Sequence, residues 1–140
     1  MCFEIDNTKH VVYLMQEKYF DWRGIVYPKP KTTIVIDTKE ALNELNLVKA
    51  VTDKPNNAIF VTVKDGVLKV TGKKYKKSLT VDIPIIESEG KEMDYRLCFN
   101  CLFLIDMLKQ QEENAKINFA GENQMVVVGE DCISSIKLND

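Results

Sequence analysis

The strongest constraint in this sequence is an order of predicted elements that occurs twice. Residues 31–87 predict a strand, a helix and three strands, and residues 91–140 predict the same order again. A half with four strands and one helix leaves an apolar face open, which a second half of the same kind can cover. We therefore predict one domain of the α+β class over residues 31–140, in which the two repeats pack by a pseudo-twofold relation.

The first repeat contains a strand that leads directly into a helix. The β-branched run before Asp37 predicts the strand, and the stretch from Asp37 to Glu40 has the composition of a helix start, with Glu40 placed for a capping box. Asp65-Gly66 between two apolar runs predicts a hairpin, and Pro84, which cannot donate to a sheet ladder, predicts the end of the last strand. The predicted elements are a strand at 31–37, a helix at 39–51 and strands at 58–63, 67–71 and 78–83.

The second repeat follows a polar connector from Glu87 to Gly90. Asn100 predicts a helix cap between an alternating strand and an apolar helix. A constant offset between the repeats aligns Leu42 with Leu104. The predicted elements are a strand at 94–99, a helix at 101–111 and strands at 115–119, 124–128 and 132–138.

Residues 1–30 lie outside both repeats and are predicted to form an N-terminal extension. Two apolar runs, at 3–5 and 11–15, predict a hairpin across the polar residues between them. The stretch from residue 17 to Pro30 is predicted to be irregular, because its prolines favour an extended approach to the first repeat.

The charge balance excludes a general attraction to nucleic acid. The 140 residues carry 19 Lys and Arg against 21 Asp and Glu, for a net charge of −2, so any nucleic-acid contact has to come from local patches. The first ten residues are acidic and polar where a signal peptide would be apolar, and no run is long enough to cross a membrane. We therefore expect a cytoplasmic protein without a membrane partner.

Two motifs give the sequence a resemblance to a known family. The segment from Tyr19 to Pro28, YFDWRGIVYP, keeps the order of aromatic, Asp, aromatic, Arg and Pro found in the family motif F-P-D-Y-R-R-V-[IL]-P. The segment LCFNCLFLIDML resembles the motif I-G-F-N-x-x-Y-L-L-D-x-L, with Phe99, Asn100 and Asp106 in register. On these residues the chain resembles the C-terminal domain of the bacterial DNA polymerase III β subunit, the sliding clamp.

The resemblance implies the DNA-clamp fold, with two helices packed on one side of antiparallel sheets. In such clamps the helices line a central hole for duplex DNA, the sheets form the outside, and a hydrophobic groove accepts short peptides. Bacterial clamps carry three such domains and this chain carries one, so a ring needs several copies, joined as a homo-oligomer through sheet edges. A C-terminal run similar to M-P-M-R-L is usual in the family, but here the chain ends SSIKLND, without the proline.

The resemblance also assigns candidate residues to the two binding surfaces. Clamps touch DNA loosely and without reading bases, so the polar sides of the helices are the expected DNA contacts. These DNA-facing candidates are Lys39, Asn43, Asn46, Lys49 and Lys109. Nearby carboxylates counteract the positive charge of these lysines, so an ordinary solvent-exposed surface without DNA contact is an equal alternative. An apolar peptide from a polymerase or a clamp loader is the expected ligand of the groove. The peptide-groove candidates are Val26, Pro28, Phe103, Ile136 and Leu138.

A basic cluster around Tyr75 is a further DNA-facing candidate. Its charge and its aromatic ring suit a phosphate backbone and a stacked base, and the alternative is a solvated hairpin tip whose lysines discourage edge pairing. The lysines are Lys73, Lys74, Lys76 and Lys77. Arg23, beside Trp22, is either a nucleic-acid contact or a cation–π and packing anchor, and the packing role is favoured.

No motif in the sequence predicts catalysis, a metal site or a cofactor. Cys98 and Cys101 form a C-x-x-C at a helix N-terminus, where a redox couple is conceivable, but their apolar surroundings favour two small core residues. A zinc site needs a second such pair or a nearby His, and the sequence has one His in total. We therefore expect no enzyme activity.

The predicted function is that of a clamp-like processivity or accessory protein for DNA replication or processing. It would self-assemble around or on DNA without sequence specificity. Two alternatives stay open. One is a protein-interaction adaptor or decoy that retains the clamp fold without binding DNA, which the net acidity and the altered tail favour. The other is a fragment of a longer clamp.

Overall fold

The computed structural model of the chain describes residues 1–14 and 16–137. These residues form ten strands and three helices. In chain order they are β1 (Cys2–Ile5), β2 (Thr8–Val11), α1 (Trp22–Val26), β3 (Thr32–Asp37), α2 (Thr38–Lys49), β4 (Ala58–Lys64), β5 (Val67–Lys74), β6 (Lys77–Gly90), β7 (Leu97–Asn100), α3 (Cys101–Lys109), β8 (Asn114–Phe119), β9 (Val126–Val128) and β10 (Asp131–Ile133). The order β3-α2-β4-β5-β6 recurs as β7-α3-β8-β9-β10, as the sequence predicts.

The two repeats exchange strands to form one sheet. Eight antiparallel strands pair in the order β10-β9-β8-β3-β6-β5-β4-β7. The first strand of each repeat pairs with the second strand of the other repeat, since β3 pairs with β8 and β7 pairs with β4. The exchange is reciprocal, in agreement with the predicted pseudo-twofold relation between the repeats. Each repeat therefore needs the other to complete its strand pairing.

Both long helices begin at side-chain caps that the sequence predicts. Asp37 Oδ1 accepts a hydrogen bond of 2.7 Å from the Glu40 amide, and Asn100 Oδ1 accepts one of 2.9 Å from the Leu102 amide. The apolar residues buried by the helices are Ala41, Leu45 and Val48 in α2 and Leu104, Ile105 and Leu108 in α3. Because the caps align Asp37 with Asn100, Leu104 corresponds to Ala41 and not to Leu42, so the predicted offset is wrong by one residue.

The core lies between the two helices and one face of the sheet. The helices contact each other, with Cys101 Sγ 3.6 Å from the Leu45 carbonyl oxygen. The end of α2 lies close to β5 at Gly72, where a Cβ atom would be 2.7 Å from Cγ1 of the buried Val48. The predicted α+β layout, with both helices on one side of antiparallel sheets, is confirmed.

Strand β6 is longer than the sequence predicts. It runs through Pro84 and through residues 87–90, so the predicted strand end and the predicted connector are both wrong. Its first half pairs with β5 and its second half pairs with β3. The Ile85 amide donates to the Gly66 carbonyl at 3.3 Å, and amides alternate between the two edges of an antiparallel strand. Position 84 therefore faces the edge away from β5, where a proline removes no bond to that strand.

The N-terminal residues form a hairpin and a short helix. Strands β1 and β2 pair across Asp6 and Asn7, whose φ angles of 48° and 63° suit a tight hairpin turn. The predicted second strand at 11–15 is wrong, because β2 begins at Thr8, and Met15 lies outside the described residues. Helix α1 lies in the stretch that the sequence predicts to be irregular.

The second repeat has shorter strands than the first. β7, β9 and β10 cover only parts of the segments predicted at 94–99, 124–128 and 132–138. The chain after β10 still joins the sheet, because the Ile136 amide donates to the Cys98 carbonyl at 2.7 Å. Leu138, the predicted end of the last strand, lies outside the described residues.

Candidate functional site

The helix side of the sheet presents the helical residues that are predicted to face DNA. Their exposure follows from helical periodicity, since the opposite face of each helix is buried in the core. The exposed candidates are Lys39, Asn43, Asn46 and Lys49 on α2 and Lys109 on α3. Their contact with DNA stays a prediction.

Three of these residues lie together in a groove between the start of α2 and the end of α3. Lys39, Asn43 and Lys109 line this groove, which has a volume of about 530 Å³. The carboxylates in its lining are Asp37, Glu112 and Glu113. Lys109 is further paired with Asp106, at 3.8 Å between Nζ and Oδ1. The groove is therefore not a purely basic surface.

Asn46 and Arg23 make contacts within the protein. Asn46 Nδ2 donates to the Leu42 carbonyl at 2.8 Å, so its own helix uses one donor of this amide. Arg23 lies on α1 and does not line the groove between the long helices; its Cζ is 4.5 Å from the centre of the Trp22 ring. This is the cation–π arrangement that the sequence favours for Arg23.

The basic cluster is divided between the two faces of the sheet. The turn that joins β5 to β6 consists of Tyr75 and Lys76, so the strands predicted at 67–71 and 78–83 both extend further toward this turn than predicted. Lys73 belongs to β5 and lies on the outer face, away from the helices, with Nζ 5.4 Å from the centre of the Phe60 ring. The remaining cluster residues line a groove of about 670 Å³ at the end of α2: Lys74, Tyr75, Lys76 and Lys77, together with Ala50 and Val51.

A cavity on the outer face contains residues that the sequence analysis does not single out. Arg96 Cζ lies 5.3 Å from the centre of the Phe60 ring, so this ring receives two cations, Arg96 and Lys73. Burial raises the pKa of Tyr95, and nearby carboxylate charges raise it further. The cavity has a volume of about 930 Å³, and its lining includes Phe60, Lys73, Tyr95, Arg96, Glu122 and Ile136. In the strand predicted at 94–99, side chains two residues apart share a face, so Arg96 lies on the face of Cys98. This alternation is the sequence signal that could have found Arg96.

The first two peptide-groove candidates lie on the segment that approaches β3. Val26 and Pro28 are half-buried and flank Tyr27. The Tyr27 hydroxyl donates to the Glu130 carbonyl at 3.0 Å, which attaches this segment to the turn before β10.

Two of the other groove candidates lie at different places in the described part of the chain. Phe103 is 61% exposed on α3. Ile136 lines the outer cavity, whose lining includes neither Phe103 nor the residues of the approach segment. Leu138 lies outside the described residues. Peptide binding therefore stays a prediction.

Cys101 is a core residue, and Cys98 is buried on the outer face of the sheet, where it lines the cavity around Phe60. The exposed fractions of Cys98 and Cys101 are 8% and 0%. Burial raises the pKa of the Cys98 thiol, and it raises the pKa of Cys101 to about 11 although the nearby Lys49 charge acts to lower it. Thiols held protonated are poor nucleophiles, so the geometry favours packing over redox chemistry. Residues 1–14 and 16–137 contain no group of three or more His, Cys, Asp or Glu placed to hold a metal ion.

The duplicated layout with helices on one side is the fold of sliding clamps. A protein described as a DNA polymerase III beta subunit from Eubacterium rectale has a TM-score of 0.73 and 22% identity, covering 98% of this chain and 39% of that chain. The Thermotoga maritima beta subunit has a TM-score of 0.75 and 17% identity, covering 99% and 39%. The griselimycin-bound DnaN sliding clamp from Pseudomonas aeruginosa has a TM-score of 0.74 and 15% identity, covering 88% and 35%. The chain thus spans about two-fifths of the length of the first two proteins.

The family is shown by a separate comparison. The family described as DNA polymerase III beta subunit, C-terminal domain, matches residues 25–137. The chain therefore belongs to the DNA polymerase III beta subunit family, and the resemblance drawn from its motifs is confirmed. No curated protein sequence matches this chain significantly. No helix in the described part of the chain has the length and apolar character needed to cross a bilayer.

Proposed function

We propose that this chain is a sliding-clamp-like accessory protein of DNA replication or processing, which acts without catalysis. It self-associates through its sheet edges and holds duplex DNA on its helix side without reading the sequence. The observation that carries this proposal is the combination of two packed helices on one side of the sheet with a strand edge that has no partner in the described residues.

One such edge belongs to the first half of β6, and β10 and β7 end the sheet. Each half of this strand has one strand partner among residues 1–14 and 16–137, β5 for the first half and β3 for the second. Since the Ile85 amide points toward β5, alternation points the amides of Ser78, Thr80 and Asp82 toward the unpaired edge. An unpaired edge of this length favours continuation of the sheet into another copy of the chain.

The electrostatics of the helix side suit a loose grip on DNA. Carboxylates around Lys39 and Lys109 prevent strong attraction to phosphate. A protein that stays on DNA by surrounding it does not require strong attraction, and phosphate contacts carry no sequence information. Weak and sequence-independent contact is therefore what this surface supports.

Light scattering coupled to size exclusion tests the assembly step. We expect the wild-type chain to show a mass several times its 16.1 kDa. Ser78→Pro removes an amide from the free edge of β6 and places a fixed ring there, so it is expected to shift the mass toward the monomer. Ser78→Ala keeps the amide and serves as the matched control, with the wild-type mass. A wild-type chain that remains monomeric at high concentration would contradict the proposal.

The acidic lining of the groove between α2 and α3 favours a second function. Asp37, Glu112 and Glu113 in this groove fit a chain that binds a partner protein as an adaptor and has lost contact with DNA. An adaptor of this kind would bind circular and linear DNA equally poorly. That outcome separates it from a clamp.

A further inference from the structure

The turn between β5 and β6 forms a basic tip, made of Lys74, Tyr75, Lys76 and Lys77. Lys74 and Lys77 are directly opposed across the two strands. Like charges in this position repel each other and weaken the hairpin. The ion pairs found among residues 1–14 and 16–137 are Lys69–Asp82 and Lys109–Asp106, and neither includes a residue of the tip. The tip is therefore a concentrated positive charge on a chain whose net charge is −2.

Tyr75 adds an exposed aromatic ring to this charge. Its side chain is 90% exposed and its φ angle is 53°, a conformation that favours Gly, Asn or Asp over a bulky residue. The ring contributes nothing to the core, and the turn is not one that a tyrosine stabilises. Both flat faces of the ring are thus available to a ligand.

The tip lies on the same side of the sheet as the helices. At Gly72 the added Cβ would lie close to Val48 and to the Val51 carbonyl, so this position of β5 faces α2. Side chains two residues apart on a strand share a face, which places Lys74 on the helix side. The groove that the tip lines includes Val51 at the end of α2. A helix C-terminus attracts one cation through its dipole, but that attraction explains neither three lysines nor an exposed ring.

We propose that the basic tip is a binding site for single-stranded nucleic acid, in which the lysines contact phosphates and Tyr75 stacks on an unpaired base. Lysines act as point charges toward a phosphate backbone, and an aromatic face stacks on any base. A base in a duplex is already stacked and paired, so the ring distinguishes single strands from duplex. This site is separate from the proposed encirclement of duplex DNA.

Fluorescence anisotropy with a labelled 20-nucleotide oligothymidine tests the site. Tyr75→Leu removes the aromatic face and is expected to weaken binding roughly 5- to 150-fold, whereas Tyr75→Phe is expected to stay within about twofold of wild type. Replacement of Lys74, Lys76 and Lys77 by Gln is expected to lower the slope of log affinity against log salt by about 2, since each single-strand phosphate contact contributes about 0.7.

A matched control separates a local site from net charge. Lys64, Lys91 and Lys116 are exposed and lie outside the tip, so their triple replacement by Gln changes the net charge equally. This control is expected to keep the wild-type salt slope. The proposal is overturned if Tyr75→Leu binds as tightly as wild type, if the control triple loses as much affinity as the tip triple, or if a 20-base-pair duplex binds as tightly as the single strand. A short oligonucleotide does not need to be encircled, so its binding is independent of ring assembly.

Discussion

The close approach of α2 to β5 predicts a large effect of Gly72→Ala on stability. An added Cβ would lie 2.7 Å from Val48 Cγ1, 3.0 Å from the Val48 carbonyl oxygen and 3.1 Å from the Val51 carbonyl oxygen. All three distances are shorter than ordinary van der Waals contact. Two of the three atoms belong to the backbone at the end of α2, and Val48 is fully buried, so no exposed side chain can move away. Overpacking of this kind costs about 1–3 kcal/mol.

Urea unfolding followed by circular dichroism measures this cost. With a slope of about 2 kcal/mol per molar urea, a loss of about 2 kcal/mol lowers the midpoint by about 1 M. Gly121→Ala is the matched control, because its added Cβ meets only Gln124 Cγ at 3.6 Å, an ordinary contact. We expect the control to stay within about 0.5 kcal/mol of wild type. A loss below about 0.5 kcal/mol for Gly72→Ala, or equal losses for the two variants, would refute the helix–sheet packing described here.

Two further predictions concern the helix starts and the buried thiols. Asp37→Ala removes the acceptor of the Glu40 amide and is expected to cost about 1 kcal/mol in urea unfolding, whereas Asp37→Asn should keep most of that stability; equal losses would contradict the cap. Iodoacetamide at pH 8 is expected to label the exposed Cys2 but neither Cys98 nor Cys101 until urea unfolds the chain. Folding raises the pKa of Cys101 from 9.0 to about 11, so the contribution of this thiol to stability is complete below pH 9 and is lost as the pH rises toward 11. The urea midpoint of the wild-type chain should therefore fall between pH 9 and 11, and the midpoint of Cys101→Ala should fall less.

The features that the sequence predicts well are local ones. Asp37 and Asn100 cap helices through contacts two or three residues away, and Asp65-Gly66 forms a turn because those residue types accept positive φ. The order of elements follows from such signals. The duplicated layout then follows from the order, because only a second half covers the apolar face of the first.

The features that the sequence misses depend on distant pairing. Pro84 indicates a strand end, yet β6 continues because the partner of its second half is β3, on the other edge from β5. The polar run from residue 87 to 90 has the composition of a connector, and its pairing with β3 is fixed only by the tertiary fold.

The candidate site likewise combines features that follow from local sequence with features that depend on distant pairing. The exposed lysines of α2 follow from helical spacing, but the separation of Lys73 from the basic tip depends on a turn of only Tyr75 and Lys76. A tyrosine at positive φ is not what residue preference indicates there. Strand alternation indicates the face of Arg96, but its position beside the Phe60 ring depends on the pairing of β7 with β4.

Retention on circular DNA tests the proposed function most directly. The chain is incubated with nicked circular plasmid and with the same plasmid made linear, and each mixture is passed through a large-pore gel column at increasing salt. Encirclement predicts that the chain elutes with the circle at salt concentrations that remove it from the linear form, since a closed ring slides off free ends. Equal retention on both forms, or retention on neither, would contradict the clamp function.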